Sequence, residues 1–411
     1  MVIRTKYLKI IEDGFRVVSI VVLIGARQVG KTSLMQAVEV KGKKLFLNGQ
    51  DAEIAELFQK FSTIEQYLKT YLSKNLKGHL MLDEFQYIHG ISTMLKLLTD
   101  KYPALKILCS GSSSLDILQQ VEESLAGRVR VVEVSSLSFE EYLLFKDEKL
   151  YQLYRGFDHT TESSALTVPV NHVLSEYLVY GGLPRAALLP ASQEKIAVLD
   201  DIYTTYLLKD VRNYIANEHV IGFNKLLRLL AVQTGNMLNI NGISIETGLS
   251  YKKCEEYIYL LEQMYIIKMI EPYIANKRKS ISKMKKVFFC DLGLRNMIVK
   301  DFNDMDFRAD NGALFENYVM LELWRSKPAG GTLHFLRTSD GVEVDFVLNR
   351  LTETIAVESK YKNMSKPVSL TGFNRFCDEE AIKKRYIVNK NLNTVHKGVH
   401  FIQGFLVKTI S

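Results

Sequence analysis

The stretch Gly25-Ala26-Arg27-Gln28-Val29-Gly30-Lys31-Thr32-Ser33 constrains this chain more than any other, because it dictates a strand before it and a helix after it. The apolar run from Val17 to Ile24 leads in, and a helix-like stretch beginning Thr32-Ser33-Leu34-Met35 leads out. Between them, glycines let successive backbone N–H groups converge on phosphate oxygens, with the positive end of the helix dipole behind them. Lys31 adds a point charge on the same oxygens, and the Thr32 hydroxyl suits Mg²⁺. The pattern predicts a nucleotide site.

A second strand, from Gly78 to Leu82, ends in Asp83-Glu84. Strand ends of an open α/β sheet reach the crevice where ligands sit, so Asp83 would join Thr32 around Mg²⁺ and Glu84 would orient the attacking water. A third, Leu105 to Cys109, runs into Ser110-Gly111-Ser112-Ser113-Ser114. Ser110 is the expected γ-phosphate or water sensor, with Ser112 close behind. Arg128, after Gly127, would stabilise transition-state charge in its own subunit or in a neighbour's. Arg185 and Arg212 are reserves for that role.

At 411 residues the chain exceeds one ordinary core. Hydrophobic residues make up 47% and charged ones 24%, as in globular proteins. Arg4, Lys6 and Lys9 before the first apolar run imitate a secretory leader. Cleavage there would destroy the loop, so the expectation is a cytoplasmic chain with no membrane span. Cys109, Cys254, Cys290 and Cys377 lack the paired spacing of a zinc or redox centre and read as packed thiols. A net charge of +7 permits a nucleic-acid partner without establishing one.

The loop, Leu82-Asp83-Glu84-Phe85-Gln86, Ser110-Gly111-Ser112, Ala126-Gly127-Arg128 and Leu137-Ser138-Phe139-Glu140-Glu141-Tyr142-Leu143 together resemble a large prokaryotic family of AAA-type ATPases. Its members carry a long C-terminal domain of unassigned function. Tyr180-Gly181-Gly182-Leu183-Pro184 and Phe315-Glu316-Asn317-Tyr318-Val319 extend the resemblance over nearly the whole chain. It implies an α/β P-loop NTPase with an AAA/ASCE-type parallel sheet, ATP and Mg²⁺ as cofactors, and assembly into rings in many relatives.

Beyond a polar segment near 158–164, helices from Asn171 to Val211 read as the lid that accompanies an AAA core. From Phe223 a second pattern sets in. Two helices precede a third capped by Ser250, and a hairpin runs from Ile266 to Cys290. That is the order of a winged helix-turn-helix, whose third helix can enter a major groove. Lys277, Arg278, Lys279, Lys283, Lys285 and Lys286 on the hairpin suit phosphate contacts. Glu255 and Glu256 beside Lys252 and Lys253 weaken base reading, and such modules also dock proteins.

Near the end, strands at 332–337, 342–348 and 355–360 are expected. Alternation puts Glu343 and Asp345 on one face of theirs, and Glu358 and Lys360 on one face of the next. The arrangement resembles the metal-dependent nuclease core named for its Asp, then Asp/Glu-x-Lys signature. That resemblance implies a metal at Asp345 and Glu358, Lys360 beside the attacking water, and Glu316 as an extra acid. The expected division is 1–150 ATPase core, 151–220 lid, 221–295 winged helix and 300–411 nuclease-like domain. The expected task is ATP hydrolysis coupled to DNA binding or processing. The alternatives are a nucleotide switch acting on a protein partner and an ATP-gated nuclease.

Overall fold

Every residue of β1 (Ile20–Ile24) is buried, as its unbroken apolar run requires of a strand covered on both faces. The computed structural model describes residues 4–111, 125, 127–156, 165–273, 284–338 and 341–410. In it β1 belongs to a five-stranded parallel sheet with β2 (Lys44–Asn48), β3 (Gly78–Asp83), β4 (Leu105–Ser110) and β5 (Val129–Glu133). The order is β2-β3-β4-β1-β5. Because β4 lies between β1 and β3, Ser110 neighbours both the loop that follows Ile24 and the Asp83 that ends β3. Ile20, Val22, Leu80, Leu82, Ile107 and Cys109 pack with Leu68, Leu95 and Leu98 of the covering helices to form this unit's core. The unit comprises residues 1–135 with 263–265.

It ends earlier than the expected boundary near 150, for a packing reason. The helix Phe139–Lys146 buries Phe139, Tyr142 and Leu143 in the core of the second unit, and the Phe139 N–H donates to Glu322 there at 3.1 Å. The helices expected as a lid on the nucleotide domain also belong to that second core. Val170, Leu174 and Tyr177 of the helix Thr167–Tyr180 pack with Phe315, Tyr318 and Phe346.

The second unit holds an eight-stranded mixed sheet: β6 (Ile267–Pro272), β7 (Lys286–Phe289), β8 (Thr332–Arg337), β9 (Glu343–Arg350), β10 (Glu353–Ser359), β11 (Lys384–Asn389), β12 (Thr394–His396) and β13 (Val399–Gln403). Its order is β12-β13-β11-β10-β9-β8-β6-β7. The meander β8-β9-β10 is antiparallel, whereas β10, β11 and β13 run parallel. Alternation along β10 sends Ile355 and Val357 to one apolar cluster and Ala356 to another, so both faces are covered. The helix Asn311–Ser326 lies on the first face and Thr371–Glu379 on the second.

The three helices expected before the hairpin are Val220–Val232, Ile240–Thr247 and Tyr251–Gln263, and the Ser250 hydroxyl accepts from the Lys253 N–H at 3.3 Å. Strands β6 and β7 pair antiparallel after them. They do not stand apart as a wing, because β6 also pairs with β8 at Glu271–His334 and Pro272–Phe335. No helix among the described residues is long and apolar enough to cross a membrane.

Candidate functional site

The loop after β1 is shaped by residues in left-handed or similar conformations: Gly25 at φ 144°, Gln28 at 63° and Gly30 at 93°. A Cβ on Gly25 would lie 2.1 Å from the Val134 carbonyl oxygen, so only glycine permits this approach to the chain beyond β5. Buried Arg4 donates to the Val29 carbonyl at 3.1 Å and to the Ser135 carbonyl at 2.8 Å, holding the loop from behind.

Lys31 begins the next helix and folds over the loop, its Nζ donating to the carbonyls of Gly25 and Ala26 at 2.8 Å each. Burial lowers its pKa to about 8 against the opposing pull of Glu84 and Asp83. The Thr32 hydroxyl donates to Asp83 Oδ2 at 2.7 Å. The other carboxylate oxygen of Asp83 accepts from the Ser110 hydroxyl and, at 3.1 Å, from the Glu84 N–H. A hydroxyl and a carboxylate this close, both reached from the phosphate loop, are the hard oxygen donors that Mg²⁺ takes. Glu84 is held at φ 48°, and its carboxylate accepts from Gln86 Nε2 at 2.5 Å.

The structure therefore brings together Lys31, Thr32, Asp83, Glu84 and Ser110. Ser112 lies outside the described residues. Arg128 is not brought there: it precedes β5 beside the amino end of β1, at the opposite end of the strands from the loop, with Nε 2.8 Å from Asp100. Service to its own subunit's nucleotide is thereby corrected. Arg185 and Arg212 lie in the second unit, Arg185 at 3.9 Å from Asp201. Gln86 and Arg4 were missed by sequence reasoning. Gln86 had a signal, since it follows the Asp-Glu pair by one short turn.

The second unit gathers another polar cluster where β9 meets β10. Asp345 Oδ2 accepts from the Ser359 N–H and hydroxyl, both at 2.8 Å. Glu358 accepts from Lys360 Nζ at 2.7 Å and from the Asp345 N–H at 3.3 Å. Burial and the Asp345 charge push Glu358 above the usual carboxylate range, against Lys360. Burial first, then Asp345, push Glu316 up to about 8.

Lys286 corrects an expectation. It is no solvent-facing phosphate contact but a lysine only 2% exposed, with Nζ 2.9 Å from Glu316 and 3.0 Å from Glu343. Burial would depress it, but Glu316, Asp345 and Glu343 outweigh that and hold it above the usual lysine range. Lys285 pairs with Glu271 at 2.8 Å. Lys277, Arg278, Lys279 and Lys283 lie outside the described residues. No group of three or more His, Cys, Asp or Glu among the described residues is arranged to hold a metal ion.

Comparison with known proteins matches three successive segments of the chain. Residues 18–143 match the model described as AAA domain. Residues 171–305 and 311–404 match two models described as domains of unknown function, DUF8612 and DUF4143. An uncharacterized protein of Methanocaldococcus jannaschii is 26% identical over 386 residues, 91% of this chain and 81% of that protein. An uncharacterized protein of Mycobacterium tuberculosis is 22% identical over 331 residues, 79% of this chain and 66% of that protein. Among solved structures, a Walker-type ATPase of Pyrococcus abyssi superposes with a TM-score of 0.50 at 16% identity, over 72% of this chain and 95% of its own, which is a likeness of fold.

Proposed function

From a chain that carries an AAA-type P-loop ATPase domain followed by a C-terminal DUF4143 domain, we propose that Mg-ATP hydrolysis in the first unit is coupled to DNA binding by the second. The observation that supports the enzymatic half is the Thr32–Asp83–Ser110 network beside Lys31 and Glu84. Mg²⁺, held by Thr32 and Asp83, would spread the charge of the β- and γ-phosphates. Lys31 would leave the Gly25 and Ala26 carbonyls for phosphate oxygens. Glu84, restrained by Gln86, would orient the attacking water, and Ser110 would hold Asp83 in register. Arg128 would act on the nucleotide of a neighbouring copy, which makes an oligomer the active form.

Support for DNA comes from the three-helix arrangement ahead of β6 and from the basic composition between Lys277 and Lys285. A nucleotide switch on a protein partner is the second reading, favoured by exposed Ile221, Ile245, Tyr251 and Tyr259 on those helices. Steady-state ATP turnover with and without duplex DNA, across a salt series, separates them. Stimulation that fades steeply with salt supports DNA coupling. Turnover indifferent to DNA at low salt favours the protein partner. Glu84→Gln should bind ATP and lose turnover; wild-type turnover in that variant would remove the role given to Glu84 in orienting the water.

A further inference from the structure

We infer that the Lys286 ammonium is the resident cation of the acidic cluster in the second unit, taking the place that a divalent metal would fill, so that this cluster works without a metal. The nuclease-like signature implies a metal at Asp345 and Glu358, and the donor set does not fit one. Each of the four carboxylates already gives an oxygen to a protein donor. Glu316 and Glu343 accept Lys286 at 2.9 and 3.0 Å, Glu358 accepts Lys360 at 2.7 Å, and Asp345 Oδ2 takes both Ser359 donors at 2.8 Å. What is left does not assemble three acidic, His or Cys ligands among the described residues.

The ammonium is also pinned in place. Lys286 pairs with Ile270 in the ladder between β6 and β7, bridges to Met237 on its other side, and sets its Nζ 5.4 Å from the centre of the Phe335 ring. A metal entering between Glu316 and Glu343 would have to expel a charged, almost fully buried side chain from its two ion pairs, leaving that charge unpaired in the core. A phosphodiester arriving at this cluster would meet two ammonium groups, Lys286 and Lys360, in place of a metal. The inference concerns the second unit alone and holds whether or not ATP turnover responds to DNA.

The test is Mn²⁺ binding to the nucleotide-free full chain, followed by electron paramagnetic resonance. Thr32 and Asp83 contribute equally to wild type and Asp345→Asn, so their difference isolates the cluster. The two should bind Mn²⁺ alike. Lys286→Met, which keeps the side chain's length and removes its charge, should gain a Mn²⁺ site that Lys286→Met/Asp345→Asn lacks. A wild-type site that loses about tenfold or more of its affinity on Asp345→Asn would overturn the inference. So would a folded Lys286→Met that gains no site. Should Lys286→Met fail to fold, the comparison of wild type with Asp345→Asn decides alone.

Discussion

Lys31 is buried against the carbonyls of its own loop, with a pKa lowered to about 8. Phosphate oxygens favour the ammonium, so nucleotide binding raises that pKa again. Above pH 8 the free protein must therefore take up a proton in order to bind, and affinity weakens as pH climbs through that value. Below it no uptake is required. Calorimetry at about pH 9 in buffers of different ionisation enthalpy should show uptake approaching one proton, against almost none at about pH 7. Lys31→Ala should lose about 3 kcal/mol of nucleotide affinity, the scale of a charged group's hydrogen bonds. On the proposed mechanism Gln86 would act one residue removed from chemistry, through its 2.5 Å bond to Glu84. Its Oε1 is buried with no hydrogen-bond partner among the described residues, and its Nε2 is anchored at Glu84. Gln86→Leu should lower kcat about tenfold, roughly 1.4 kcal/mol, with nucleotide Kd unchanged. A matching loss in Kd would instead mark a structural role.

At the scale of elements, the turn Gly181-Gly182 sets how the helix Thr167–Tyr180 meets the helix Leu292–Val299. Gly181 has φ 73°, and a Cβ there would stand 2.3 Å from the Gly293 nitrogen and 2.4 Å from Asp291 Oδ1. The Gly182 N–H donates to Asp291 Oδ2 at 2.9 Å, while the Asp291 side chain also caps the second helix by accepting from Leu294 N–H. Gly181→Ala combines backbone strain with overpacking and should cost the second unit roughly 3 kcal/mol, read as a lower urea midpoint at unchanged slope. The glycine pair was visible as a helix break, but not the element it had to accommodate. The same limit runs through the rest of the chain. The grouping of Lys31, Thr32, Asp83, Glu84 and Ser110 was legible because each ends a strand or lies in the segment that follows one, and the strands run parallel. The strands around Asp345 and Glu358 were legible from alternation. Strands β11 to β13 were not, since Tyr386-Ile387-Val388 is a short apolar run without a motif. Lys286 looked like one more basic residue of a lysine-rich hairpin. Only the following Val287-Phe288-Phe289, an apolar strand, hinted that its neighbour would be drawn inside.

For the molecule as a whole, the described residues form two units with separate apolar clusters. Each should unfold as its own cooperative transition in scanning calorimetry. ATP at a hundredfold excess over its Kd should stabilise the first unit by ~2.7 kcal/mol. An equal shift of both transitions would show that the two unfold together.

The two-residue ladder between β6 and β8 bears on what can be inherited or exchanged as a piece. Sequence matching divides the second unit near residue 305, yet a single sheet crosses that line. A transplant limited to 311–404 would leave behind the strand that supplies Lys286, so Glu316 and Glu343 would arrive without their counter-charge. It would also bare a stretch of β8 to whatever strand came near. The segment that can move between relatives is therefore longer than its own sequence signature, and must bring Ile267–Phe289 with it.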